Sequence, residues 1–112
     1  MRDVNYEVTI VSEGRGGWVY YREDKATLPF DWDITSIGFE VYLPSSTEWD
    51  DFCKQNNAAQ YIDKRHQIVE RLAAEVRRKK AKKAKMTIDD WGISFSFEDD
   101  WLYSLVRRIL GV

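Results

Sequence analysis

Apolar and polar residues alternate with period two along most of the chain up to Leu43. In Tyr6-Glu7-Val8-Thr9-Ile10 the apolar side is one face, extended by Val4, and the pattern is that of a half-buried strand. Gly14-Arg15-Gly16-Gly17 is dense in glycine and marks a turn. Trp18-Val19-Tyr20-Tyr21, aromatic and β-branched, is the returning strand of a hairpin. After the polar turn Glu23-Asp24-Lys25, alternation resumes over residues 28–34, with Phe30, Trp32 and Ile34 opposite Asp31 and Asp33. Pro29 has no amide hydrogen to give to a ladder, so this strand is expected at an edge or interrupted. Ile37, Phe39, Val41 and Leu43 then alternate with Gly38, Glu40 and Tyr42, the cleanest strand in the chain. Four sequential strands with short links predict an antiparallel meander.

Past Pro44 the period changes from two to that of a helix. Ser45-Ser46-Thr47-Glu48 has the form of a capping box, and Trp49, Phe52 and Cys53 fall on one face of a short helix. Asn56-Asn57 ends it, and Asn57 is placed to cap a second helix whose apolar stripe is Ile62, Ile68, Val69, Leu72 and Val76. A helix over residues 58–83 would be roughly 39 Å long. A domain of this size has a radius of gyration of only about 13 Å, so the basic end is expected to project past the core or fray. Residues 85–90 and 92–97 read as two more strands about the turn Asp89-Asp90-Trp91-Gly92. Asp99 or Asp100 caps a last helix with Trp101, Leu102, Leu105, Val106, Ile109 and Leu110 on its apolar face. The expected class is α+β: an antiparallel sheet of about five or six strands with helices packed on one face, in the order β-β-β-β-α-α-β-β-α. Its expected core is Val8, Ile10, Phe39, Val41, Ile68, Leu72, Phe95, Leu105 and Ile109.

Composition narrows the class without naming a function. The 112 residues, 44% hydrophobic and 32% charged, fit one soluble α+β domain over residues 1–112. A single Cys excludes an intramolecular disulfide framework and a cysteine zinc site, and a single His weakens any triad. No apolar run is long enough to span a bilayer, and the first residues lack the apolar core of a signal peptide. A cytoplasmic location without a cofactor is the expectation. The net charge of −2 conceals three blocks: −7 over residues 1–51, +8 over residues 52–85 and −3 over residues 86–112.

Most of that positive charge is one run: Arg77, Arg78, Lys79, Lys80, Lys82, Lys83 and Lys85. Only Glu75 is placed to pair with it, at i+3 with Arg78 and i+4 with Lys79. A polyanion would relieve the remaining repulsion by counterion release, which makes the run a candidate nucleic-acid or acidic-lipid contact. A solvated helix end is the plain alternative, and the overall acidity argues against a dedicated nucleic-acid binder. The lone Arg15-Gly16-Gly17 is read as a hairpin loop. Asp31 and Asp33, two apart on a strand, share a face and could hold a divalent cation or share a proton, as in a metal-dependent enzyme with a carboxylate site. That chemistry requires a third acid to converge on them. Cys53 and His66 could make a nucleophile–base pair, although they fall on separate helices.

Aromatic residues make up 14% of the chain, and Trp18, Tyr20, Trp32 and Tyr42 would form a stacking or binding platform if they shared an exposed face. The reading that uses most of these features is a small non-catalytic interaction module. It would bind an unidentified protein partner, or a second copy of itself, through an acidic and aromatic sheet surface and a basic helix. Asp31, Asp33, Glu40, Tyr20 and Tyr42 are the residues expected to meet that partner.

Overall fold

The meander is present in the computed structural model, which describes residues 5–97 and 108–110. β1 (Tyr6–Glu13), β2 (Gly16–Glu23), β3 (Ala26–Ile34) and β4 (Gly38–Tyr42) are consecutive antiparallel strands joined by short turns. Two turns use left-handed backbone, at Gly14 (φ 69°) and Asp24 (φ 56°), where glycine and aspartate are the tolerant residues. Three helical segments follow: α1 (Trp49–Gln55), a 3₁₀ helix (Ala59–Lys64) and α2 (Arg65–Lys80). The chain then returns as the hairpin of β5 (Lys85–Ile88) and β6 (Gly92–Ser96). β6 inserts beside β4, so the six strands lie in the order β1-β2-β3-β4-β6-β5, antiparallel throughout.

Period-two alternation decides which residues meet the helices. Val8, Val19, Tyr21, Leu28, Phe30, Phe39, Val41, Ile93 and Phe95 point into one buried layer, against Trp49, Ile68, Leu72 and Val76. Phe30 stacks on Trp49 at 6.3 Å and Phe39 on Phe95 at 4.8 Å. Such pairs add about 0.5–1.5 kcal/mol beyond the area they bury. The Trp49 indole also donates to Tyr61 O at 3.0 Å, which ties α1 to the 3₁₀ helix. Gly17 lies on this same buried side. A Cβ there would sit 1.9 Å from Val11 O, and the space it leaves is crossed by Trp32, whose Nε1 donates to Val11 O at 3.0 Å. The indole of one strand thus spans a second strand to reach a third.

Several expectations change. Of the two alternatives for Pro29, the second holds: its strand is interior, not an edge, and its pairing is interrupted there. Its neighbour in the ladder is Tyr20, and β3 pairs with β4 only over Trp32–Ile34, so the missing donor falls where no β4 residue needs it. The long helix over residues 58–83 does not form. Residues 59–64 are 3₁₀, and α2 stops at Lys80 because Ala81 and Ala84 are buried and pull the basic run back toward the sheet. Asn57 makes no side-chain cap and instead turns the chain with φ 55°. Half of the capping box forms: Glu48 accepts from Ser45 N at 3.2 Å, one turn ahead of α1, while the Ser45 hydroxyl meets Thr47 Oγ1. Of the expected core, Ile10 is only half-buried, Leu105 lies outside the described residues, and Ile109 is 67% exposed. Leu110 packs on the core in its place, because one residue turns a helical face by about 100°.

Candidate interaction surface

The face of the sheet away from the helices carries the residues that alternation leaves over. β2 contributes Trp18 and Tyr20, β3 contributes Pro29, Asp31 and Asp33, β4 contributes Glu40 and Tyr42, and β6 contributes Ser94. The register sets their neighbours. Tyr20 lies beside Pro29, Trp18 beside Asp31, Asp33 beside Glu40, and Glu40 beside Ser94. Trp18 and Tyr20 stack with centroids 6.3 Å apart and planes at 23°. Tyr42 is 43% exposed. Its neighbour in β6 is Gly92, where a Cβ would fall 2.6 Å from Glu40 Oε2, so the Glu40 carboxylate occupies the space beside Tyr42 that a side chain would fill.

All five residues expected to meet a partner are therefore on one open face. Trp32 is the exception among the aromatics: it is buried on the opposite side. The acids act together on one group. Partial burial, then Glu40, Asp33 and Asp31, hold the Tyr42 hydroxyl above its ordinary pKa. Among the described residues none of Asp31, Asp33 and Glu40 has an ion-pair partner within 4.0 Å. Asp33 Oδ1 accepts only the amide of Ile34, at 2.9 Å.

The basic run is not brought together in one patch. Arg78 bonds Glu75 at 2.8 Å, as its i+3 spacing suggested. Lys79 makes no ion pair with Glu75 within 4.0 Å and donates to Val8 O of β1 at 2.5 Å, and Arg77 reaches Ala84 O at 3.5 Å. Lys80, Lys82 and Lys83 are exposed around the end of α2, and Lys85 opens β5. The enzyme readings gain no geometry. No group of three or more His, Cys, Asp or Glu residues able to hold a metal occurs among the described residues. Cys53 is fully buried, its thiol pushed up to about 11 by burial and secondarily by Asp50. His66 is 89% exposed and faces Glu70 at 3.2 Å, so thiol and imidazole form no pair.

One polar cluster was not foreseen. Glu23, expected in a turn, is 4% exposed and stands on the core side at the end of β2. It accepts from Tyr21 Oη at 2.7 Å and from Arg71 at 3.3 Å, while Arg71 also donates to the Tyr21 hydroxyl at 2.7 Å. The Tyr61 hydroxyl donates to Glu23 O, and Lys64 approaches Glu23 Oε2 at 3.8 Å. Burial first, then the bond to Glu23, keeps the Tyr21 phenol protonated well above its ordinary range. The signal was in the alternation: Val19, Tyr21 and Glu23 share one parity, so a strand continued to Glu23 must bury it. No helix among the described residues is long and apolar enough to cross a membrane. No family model matches this chain, and neither the curated proteins nor the solved structures contain a match to it.

Proposed function

We propose that this chain is a non-catalytic protein-interaction module that takes a basic partner on its open sheet face. One observation carries the reading: Tyr20, Asp31, Asp33, Glu40 and Tyr42 converge on that face, and their three carboxylates have no ion-pair partner among the described residues. Complementary charge from a partner would supply those ion pairs, steer encounter and select against acidic competitors. The Trp18–Tyr20 stack and the exposed ring of Tyr42 supply apolar area beside the acids. Aromatic anchors inside a polar rim are where binding energy concentrates in protein interfaces.

The test uses a lysine- and arginine-rich peptide as a defined probe in a calorimetric titration. Neutralising Asp31→Asn, Asp33→Asn and Glu40→Gln together weakens binding by about tenfold or more and flattens its salt dependence. Tyr42→Ala weakens it at every salt concentration. Equal affinity for the wild type and the triple variant would remove the reading. The rival reading, contact with nucleic acid through the basic run, draws on the exposure of Lys80, Lys82 and Lys83. It predicts duplex affinity lost on charge reversal there, with the acidic face irrelevant.

A further inference from the structure

Tyr42 is the most exposed ring on the open sheet face among the described residues, and carboxylates flank it on both sides. Trp32 of β3 pairs with Val41 of β4, so one further step along both strands brings Asp31 to the Tyr42 position. On the other side the neighbour is Gly92 of β6, where a Cβ would meet Glu40 Oε2 at 2.6 Å. The Glu40 carboxylate thus lies over the Gly92 position. After partial burial, Glu40, Asp33 and Asp31 raise the pKa of the Tyr42 hydroxyl, in keeping with that closeness. Trp18, the ladder partner of Asp31 in β2, closes the row beyond it.

The spacing decides which cation fits. Adjacent strands lie about 4.8 Å apart, so the two carboxylates bracket the ring across roughly two strand spacings, about 10 Å. A single ammonium nitrogen bonding both sides, with hydrogen bonds of about 2.9 Å, would need them within about 6 Å of each other. A guanidinium carries five N–H donors at the rim of a plane, spread over three nitrogens, and reaches further. It is also weakly hydrated and lies flat on an aromatic face, which turns its donors outward toward groups beside the ring.

We propose that the Tyr42 ring, with the carboxylates of Asp31 and Glu40 at its two sides, seats an arginine side chain of the partner, and that the face selects arginine over lysine. The guanidinium stacks on the ring and donates to Asp31 on one side and Glu40 on the other. Neither acid has an ion-pair partner among the described residues, so no existing pair has to break. The arginine stem passes over Trp18 or Ser94, the next residues outward along β2 and β6 on this face. Arginine selection rests on the basic-partner reading of this face and narrows it to one side-chain chemistry. It can fail while that reading stands.

The test is calorimetric titration of the full chain with three peptides of equal length and charge. Their basic positions are all arginine, all lysine, or all symmetrically dimethylated arginine. The arginine peptide should bind about fivefold or more tighter than the lysine peptide. Methylation keeps the charge but blocks bidentate bonding, so the methylated peptide should fall to about the lysine level. Tyr42→Leu removes the ring and should shrink the arginine-to-lysine ratio below about twofold, while Tyr42→Phe keeps the ring and should retain the ratio. Thermal melting checks that both variants keep the fold, and the methylated peptide puts the same question to the wild type alone. Equal affinity for the arginine and lysine peptides, a preference for lysine, or an arginine preference that survives methylation or Tyr42→Leu overturns arginine selection and leaves the basic-partner reading in place. No binding by any of the three peptides removes both.

Discussion

Buried titratable side chains set the alkaline behaviour of the fold. The Cys53 thiol is raised from 9.0 to about 11 by burial and, less, by Asp50. The Tyr61 hydroxyl is raised from 10.0 to about 12 by burial, then by Glu23 and Asp24. In the unfolded chain both groups lose their protons at lower pH than in the folded one. Stability from these groups is therefore fully present below about pH 9 and falls as pH rises through 11 to 12. Urea midpoints measured across that window should decline, and Cys53→Ala should make the decline shallower at its lower end. A flat profile would show that these groups are not buried in this way. At this scale the sequence was legible wherever parity alone decides, as at Asp31, Asp33, Glu40 and Tyr42. It was misread where a polar residue keeps the parity of the core. Glu23 has the type of a turn residue and the position of a core one, and Tyr21, Arg71 from α2 and Lys64 together make its burial tolerable.

Among the elements, the strands were the legible part and the long helix was not. Alternation places the five strands β1 to β4 and β6 because each turns one face to the core, whereas β5 buries none of its residues fully. The end of α2 had no such signature. Arg77 to Lys80 are good helix formers and nothing in the local sequence stops the helix. What stops it is tertiary: Ala81 and Ala84 are buried, at 2% and 3% exposure, at the return into β5. Two alanines that look like spacers in a basic run are its anchors. Ala84→Lys would force an ammonium into that contact and should cost about 2 kcal/mol or more. Lys83→Ala, one residue away and exposed, should stay within about 0.5 kcal/mol of wild type. Urea unfolding of the two variants separates them; equal stabilities would mean that the basic run is not held at Ala84.

Across the whole molecule, the acids of the candidate surface and the basic run lie on different elements. The open sheet face carries Asp31, Asp33 and Glu40 without ion-pair partners among the described residues, and the helix side carries most of the basic run. A net charge of −2 hides this separation; the three charge blocks of the sequence show it along the chain, and the fold adds which acids share one face. The residues of the candidate surface were legible singly, but their neighbours were not. That Asp33 stands beside Glu40, and that Trp32 leaves the aromatic group for the core, depends on strand pairing, which turn lengths and long-range contacts decide. The central claim is that the acidic, aromatic face is the binding surface. Amide chemical-shift mapping tests it most directly, with the basic peptide and a DNA duplex titrated separately. The peptide should shift Trp18, Tyr20, Asp31, Asp33, Glu40 and Tyr42 and leave residues 77–85 in place. Peptide shifts scattered over the molecule, or saturable shifts confined to residues 77–85 on adding DNA with none on the sheet face from peptide, would contradict it.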